Sequence, residues 1–136
     1  MLIDFHVHLF PDKLAGRTLT HLKEVSGGSC CTDGTVAGTL KALNEWDVDY
    51  GVVLPIATRA GQCRTINDFA VKVQDENKKL LSFGSVFPKE DCAIEELHRI
   101  REIGLHGVKL HPAYQECHFG DDEYFPLYAE IEKLGL

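Results

Sequence analysis

Four short apolar runs, each stopped by a proline, constrain this 136-residue chain more than any other feature. They cover residues 2–9, 50–55, 80–86 and 106–110, and Pro11, Pro55, Pro88 and Pro112 mark their carboxyl ends. Proline lacks an N–H and cannot continue a ladder inside a sheet, so each run reads as a strand with a fixed end. The run Tyr50-Gly51-Val52-Val53-Leu54 is apolar without alternation, as expected of a parallel strand covered by helices on both faces.

Between the runs, apolar residues recur at helical spacing. They predict helices over 12–25, 35–45, 62–77, 92–103 and 123–134, with Ile94, Leu97 and Ile100 on one stripe and Gly104 and Gly135 as closing glycines. The predicted order is β-α-α-β-α-β-α-β-α, which implies right-handed crossovers and a parallel sheet. We therefore expect a single α/β domain over residues 1–136. Four units of roughly 30 residues make half of a TIM-type (β/α)8 barrel, whose usual length is about 250 residues, cut before a fifth strand. The rival expectation is a complete open sheet of flavodoxin type, but no glycine-rich phosphate loop follows the first strand.

Charge narrows the partners. The net charge is −7, with 21 acidic against 14 basic residues, and the basic residues form no stripe. Nucleic acid and anionic membrane are thereby disfavoured as partners. The first strand begins at Leu2 and no apolar run approaches a membrane span, so the expected location is the cytoplasm. The five cysteines (Cys30, Cys31, Cys63, Cys92, Cys117) show no Cys-x-x-Cys spacing and read as thiols, the adjacent Cys30-Cys31 pair included.

Chemistry concentrates at the carboxyl ends of the first and fourth strands. Side chains alternate across a strand, so Asp4, His6 and His8 are expected on one face and Ile3, Phe5 and Val7 on the other. Two histidines two residues apart on one face can reach a single divalent metal, zinc being the first expectation for imidazole ligands. Asp4 would orient an imidazole or make a structural hydrogen bond. In the fourth strand Gly107, Lys109 and His111 share one parity. Lys109 can act as a base, bind a substrate carboxylate or, as the neutral amine, take up carbon dioxide, and otherwise snorkels or joins an ion pair. His111 is a candidate acid/base, ligand or substrate contact, with loop capping as the plainer role. Tyr114, Gln115 and Asp121-Asp122-Glu123 follow as candidate rim residues, although acids just before a helix also favour its N-terminus. Arg59 and Gln62 are candidate contacts for an anionic substrate.

At Ile3-Asp4-Phe5-His6-Val7-His8-Leu9-Phe10-Pro11, Asp49-Tyr50-Gly51-Val52-Val53-Leu54-Pro55, Phe83-Gly84-Ser85-Val86-Phe87-Pro88 and Gly104-Leu105-His106-Gly107-Val108-Lys109-Leu110-His111-Pro112-Ala113-Tyr114-Gln115, the chain resembles the amidohydrolase superfamily. It is most similar to the metal-dependent hydrolases related to aminocarboxymuconate semialdehyde decarboxylases. The resemblance implies a (β/α)8 barrel in which His6 and His8 bind a divalent metal, with further histidines from strands 5 and 6 and an aspartate after strand 8, beyond this sequence. Lys109 falls where some binuclear relatives carry a carboxylated lysine, and Phe87 where close relatives often have histidine. The implied activity is hydrolysis of an amide, ester or related carbonyl bond by metal-activated water, with nonoxidative decarboxylation or a noncatalytic oligomeric remnant as alternatives. The implied partner is a small carbonyl or carboxylate substrate. A half barrel would be inactive alone, and its two open sheet edges predict a homodimer or higher oligomer.

Overall fold

The computed structural model describes residues 1–136, the side chains of Val25 and Ser26 excepted. It is an α/β fold built on a parallel three-stranded sheet of order β1-β2-β3, with β1 at Ile3–Val7, β2 at Tyr50–Val53 and β3 at Leu80–Ser82. Helices α1 (Asp12–Ser26) and α2 (Val36–Glu45) join the first two strands, α3 (Cys63–Glu76) the next two, and α4 (Ala93–Glu102) follows. Pro112–Gln115 forms a one-turn helix, α5, and Asp122–Tyr124 a 3-10 turn leading into α6 (Phe125–Leu134).

The local signals act as their chemistry requires. Pro11 precedes α1, and Gly27, at φ +67°, closes it with an N–H bonded to the Lys23 carbonyl. The Thr35 hydroxyl caps α2 by accepting from the Gly38 N–H at 2.9 Å, while donating to Asp33 at 2.8 Å. Gly51 is a close-approach glycine: a Cβ there would stand 3.1 Å from the side chains of Leu43 and Val7. That position brings α2 down onto the sheet, and Val7, Leu9, Leu43, Val48, Val53, Val73 and Leu80 fill the first core cluster. A second cluster, centred on Leu97, Ile100 and Val86, packs α4 and α6 beneath the later strands.

Two sequence expectations are corrected. The third strand ends at Ser82 rather than at residue 86, and the expected fourth strand at 106–110 reduces to one parallel bridge, Gly84 with Val108. His106 N–H does donate to the Ser82 carbonyl at 3.0 Å, and Lys109 N–H to Gly84 at 2.8 Å. Beyond that point side chains take over the backbone groups: Asn67 accepts from Ser85 N–H, and Gln115 from His111 N–H. A ladder cannot extend where its donors are already used. The one-turn helix α5 was also not expected, and Pro112 at its first position with His111 as cap explains it. Among the described residues, no helix is long and apolar enough to cross a membrane.

Candidate functional site at the strand ends

The first strand is not regular. Asp4 pairs with Gly51 and Val7 with Val53, so β1 advances three residues while β2 advances two. This extra residue is a bulge, and it reverses the side-chain alternation within the strand. Gly51 and Val53 lie on one face of β2, which puts Asp4 on the face of Val7. His6 and His8 flank Val7 and share the other face. The expectation that Asp4 joins the histidines is therefore overturned. Its carboxylate instead accepts from the His6 N–H at 3.0 Å, a local bond of the kind that competes with a regular ladder.

His6 and His8 meet: their Nε2 atoms are 3.0 Å apart and their ring centroids 4.8 Å apart. Nδ1 of His8 lies 2.9 Å from the Leu54 carbonyl oxygen, a partner that can only accept. That bond puts the neutral ring's proton on Nδ1 and leaves the Nε2 lone pair directed at His6. Burial, and then the neighbouring charges of His6, Lys109 and His111, hold the His8 imidazole below its ordinary pKa. Each of these effects favours the neutral, ligating form.

Can these residues hold a metal? Two nitrogens bound to one zinc at about 2.0–2.1 Å each must lie within about 4.2 Å of each other, and 3.0 Å satisfies this. The carbonyl-anchored imidazole is also the usual support of a metal ligand. Among the described residues, no group of three or more histidine, cysteine or acidic side chains surrounds a common point.

Lys109 and His111 stand close enough to this pair for their charges to be felt by His8. Lys109 is half-buried and, among the described residues, forms no ion pair. His111 is half-buried too, and burial followed by the Lys109 charge lowers its pKa. It caps α5, with Nδ1 accepting from the Tyr114 N–H at 3.4 Å, and its ring stacks on Tyr114 at 4.3 Å. Loop capping thus leaves Nε2 available.

Other expected rim residues are placed differently. Gln115 is fully buried rather than on a rim. Gln62 accepts from the N–H and hydroxyl of Thr58, folding onto its own loop, and Arg59 is exposed. Asp121, Asp122 and Glu123 are exposed around the 3-10 turn. Two residues were missed. Ser85, buried after β3, accepts from Ala57 N–H at 3.0 Å and donates to the Lys109 carbonyl at 2.9 Å. Asn67 of α3 accepts from Ser85 N–H at 2.8 Å and donates to its carbonyl at 3.0 Å. Asn67 falls among the apolar positions of its helix, which was the available signal. The Phe87 N–H donates to the Cys63 sulfur at 3.1 Å. Burial and Glu90 push the Cys63 thiol up to about 12, so it stays protonated.

A family model described as Amidohydrolase matches residues 3–136. Over 121 residues the chain is 31% identical to a 2-amino-3-carboxymuconate-6-semialdehyde decarboxylase of Dictyostelium discoideum, a match covering 79% of this chain and 33% of that protein. A solved structure from Acinetobacter baumannii, a probable 2-pyrone-4,6-dicarboxylic acid hydrolase with citric acid bound, superposes with a TM-score of 0.60 at 18% identity. It is covered to 46%, against 98% of this chain. The chain therefore spans about a third of the one relative and under half of the other.

Proposed function

Because the chain belongs to the amidohydrolase family, we propose that it carries the amino-terminal part of a metal-dependent hydrolase site within a half (β/α)8 barrel. The observation that carries this reading is the His6–His8 pair, 3.0 Å apart at Nε2, with His8 anchored on the Leu54 carbonyl. The half-barrel reading is supported by a likeness that takes in nearly all of this chain and under half of its structural neighbour.

In this reading Nε2 of His6 and Nε2 of His8 hold a divalent metal ion, zinc foremost. When bound, such an ion lowers the pKa of a water toward neutrality and polarises a substrate carbonyl. The Leu54 carbonyl fixes the ring of His8 before any ligand arrives, so no ordering of that side chain is needed on binding. Lys109 and His111 supply positive charge and hydrogen-bond donors for the oxygens of a small carboxylate or carbonyl substrate. Further ligands and a catalytic base belong to the other half of the barrel. The free edge of β1 and the exposed Phe5 (62%) support association of copies of the chain, which sedimentation velocity tests.

The deciding experiment is a zinc titration against a chromophoric chelator. The reading predicts one site in the wild type, lost in His6→Ala and His8→Ala. Less than a tenth of an equivalent of zinc in the wild type would sink it. Nonoxidative decarboxylation is the second reading, supported by the name of the Dictyostelium relative. With a substrate labelled at the carboxylate carbon, release of labelled carbon dioxide favours decarboxylation, and a cleaved product that retains the label favours hydrolysis.

A further inference from the structure

Gln115 is 0% exposed, and both N–H donors and the oxygen of its amide are engaged. The amide nitrogen donates to the carbonyls of Ala57 at 2.8 Å and Val86 at 2.7 Å, in the segments that follow β2 and β3. The amide oxygen accepts from the His111 N–H at 2.7 Å. One side chain thus joins three successive chain segments at the end of the sheet where the histidines stand. Only a primary amide offers two donors and an acceptor in this shape; a carboxylate has no donor and a thioether no strong group of either kind.

His111 is held from both sides by this residue. Its N–H goes to the Gln115 side chain, and its carbonyl accepts from the Gln115 backbone N–H at 3.0 Å. Within that closed loop the ring of His111 lies on Tyr114, and Nδ1 takes the Tyr114 N–H. At 3.4 Å the latter bond is too long to fix a ring unaided. The backbone clasp holds the segment on which that ring meets Tyr114. A neutral imidazole whose Nδ1 accepts carries its proton on Nε2.

We infer that Gln115 is a positioning residue: by clasping the backbone of His111, it fixes that ring as the Nε2–H donor which the site presents to a substrate oxygen. The inference rests on the proposed role of His111 as a substrate contact and deepens it, since it makes His111 a donor in its neutral form.

Long-range 1H–15N correlation spectra of the 15N-labelled chain, recorded without metal and above the titration of the ring, test it. His111 is identified by the signal lost in His111→Gln. The wild type is expected to show the Nε2–H tautomer, with ring protons displaced by Tyr114. Gln115→Met is close in size and makes none of the three bonds; it is expected to give mixed tautomers and to lose the Tyr114 displacement. Ser85→Ala loosens the same segments through Ala57 and Lys109 without touching His111, so it is expected to lower stability and leave the His111 signals unchanged. If Gln115→Met does not fold, Gln115→Asn, whose shorter amide cannot span all three partners, is read in its place. An Nδ1–H tautomer in the wild type, wild-type His111 signals in the Gln115 variant, or an equal change in Ser85→Ala would each overturn the inference. Failure of zinc binding at His6 and His8 counts against the proposed function alone, because these spectra involve neither metal nor turnover.

Discussion

Nε2 of His6 stands 3.0 Å from Nε2 of His8, and the other nitrogen of His8 is engaged by the carbonyl of Leu54, 46 residues further along the chain. The second strand therefore orients a ring carried by the first. The two rings are thereby held within hydrogen-bond distance of each other.

Removing either ring removes half of that pair. His8→Ala and His6→Ala should each weaken zinc binding by more than the roughly 10- to 100-fold expected when only an outer partner of a ligand is lost. Isothermal titration against zinc provides the measurement. Equal affinity in the wild type and both variants would show that zinc binds elsewhere.

Acid should destabilise the fold through His111. Burial and Lys109 lower its pKa in the folded chain, whereas the unfolded chain returns to about 6.5. Between those values the unfolded state binds more protons, so this contribution is complete above about pH 6.5 and is lost as pH falls through the window below it. Urea midpoints measured with chelator present should fall from pH 7.5 to pH 5.5, and His111→Gln should flatten the fall. An unchanged slope in that variant would assign the acid sensitivity to other groups.

Asn67 is buried and bonds Ser85 through both its N–H and its carbonyl, while also donating to Glu96 at 2.7 Å. Asn67→Ala strands those partners. With about 1–3 kcal/mol for a buried group left unsatisfied, urea denaturation should show a loss of at least about 2 kcal/mol. A loss below about 0.5 kcal/mol would mean that water or a rearranged loop replaces the amide.

Gly84 carries the bridge to Val108, and a Cβ there would stand 2.7 Å from Ile100, itself fully buried. Gly84→Ala should cost about 1–3 kcal/mol by overpacking. It should also speed amide exchange at Lys109, whose N–H bonds the Gly84 carbonyl. Wild-type stability in this variant would show that α4 moves freely relative to the sheet.

Much of the fold was legible because it follows from local rules. The apolar run at Tyr50–Leu54, the proline stops and the helical stripe of Ile94, Leu97 and Ile100 each name an element by themselves. Element bounds agree to within a residue or two for α2, α3 and α4. The alternation in 106–110 names Gly107 only as a strand position, yet a Cβ there would stand 2.8 Å from the ring of Phe83, a distant contact that no local pattern shows.

By itself the sequence determined the alternation of strands and helices and the common face of His6 and His8, because backbone periodicity depends on neighbours in the chain. Tertiary structure decided the rest. It turned Asp4 away through a bulge, reduced the fourth strand to a bridge, and buried Gln115 against Ala57, Val86 and His111. Each of these outcomes depends on which distant group satisfies a backbone donor or acceptor. That pairing exists only once the chain has closed on itself.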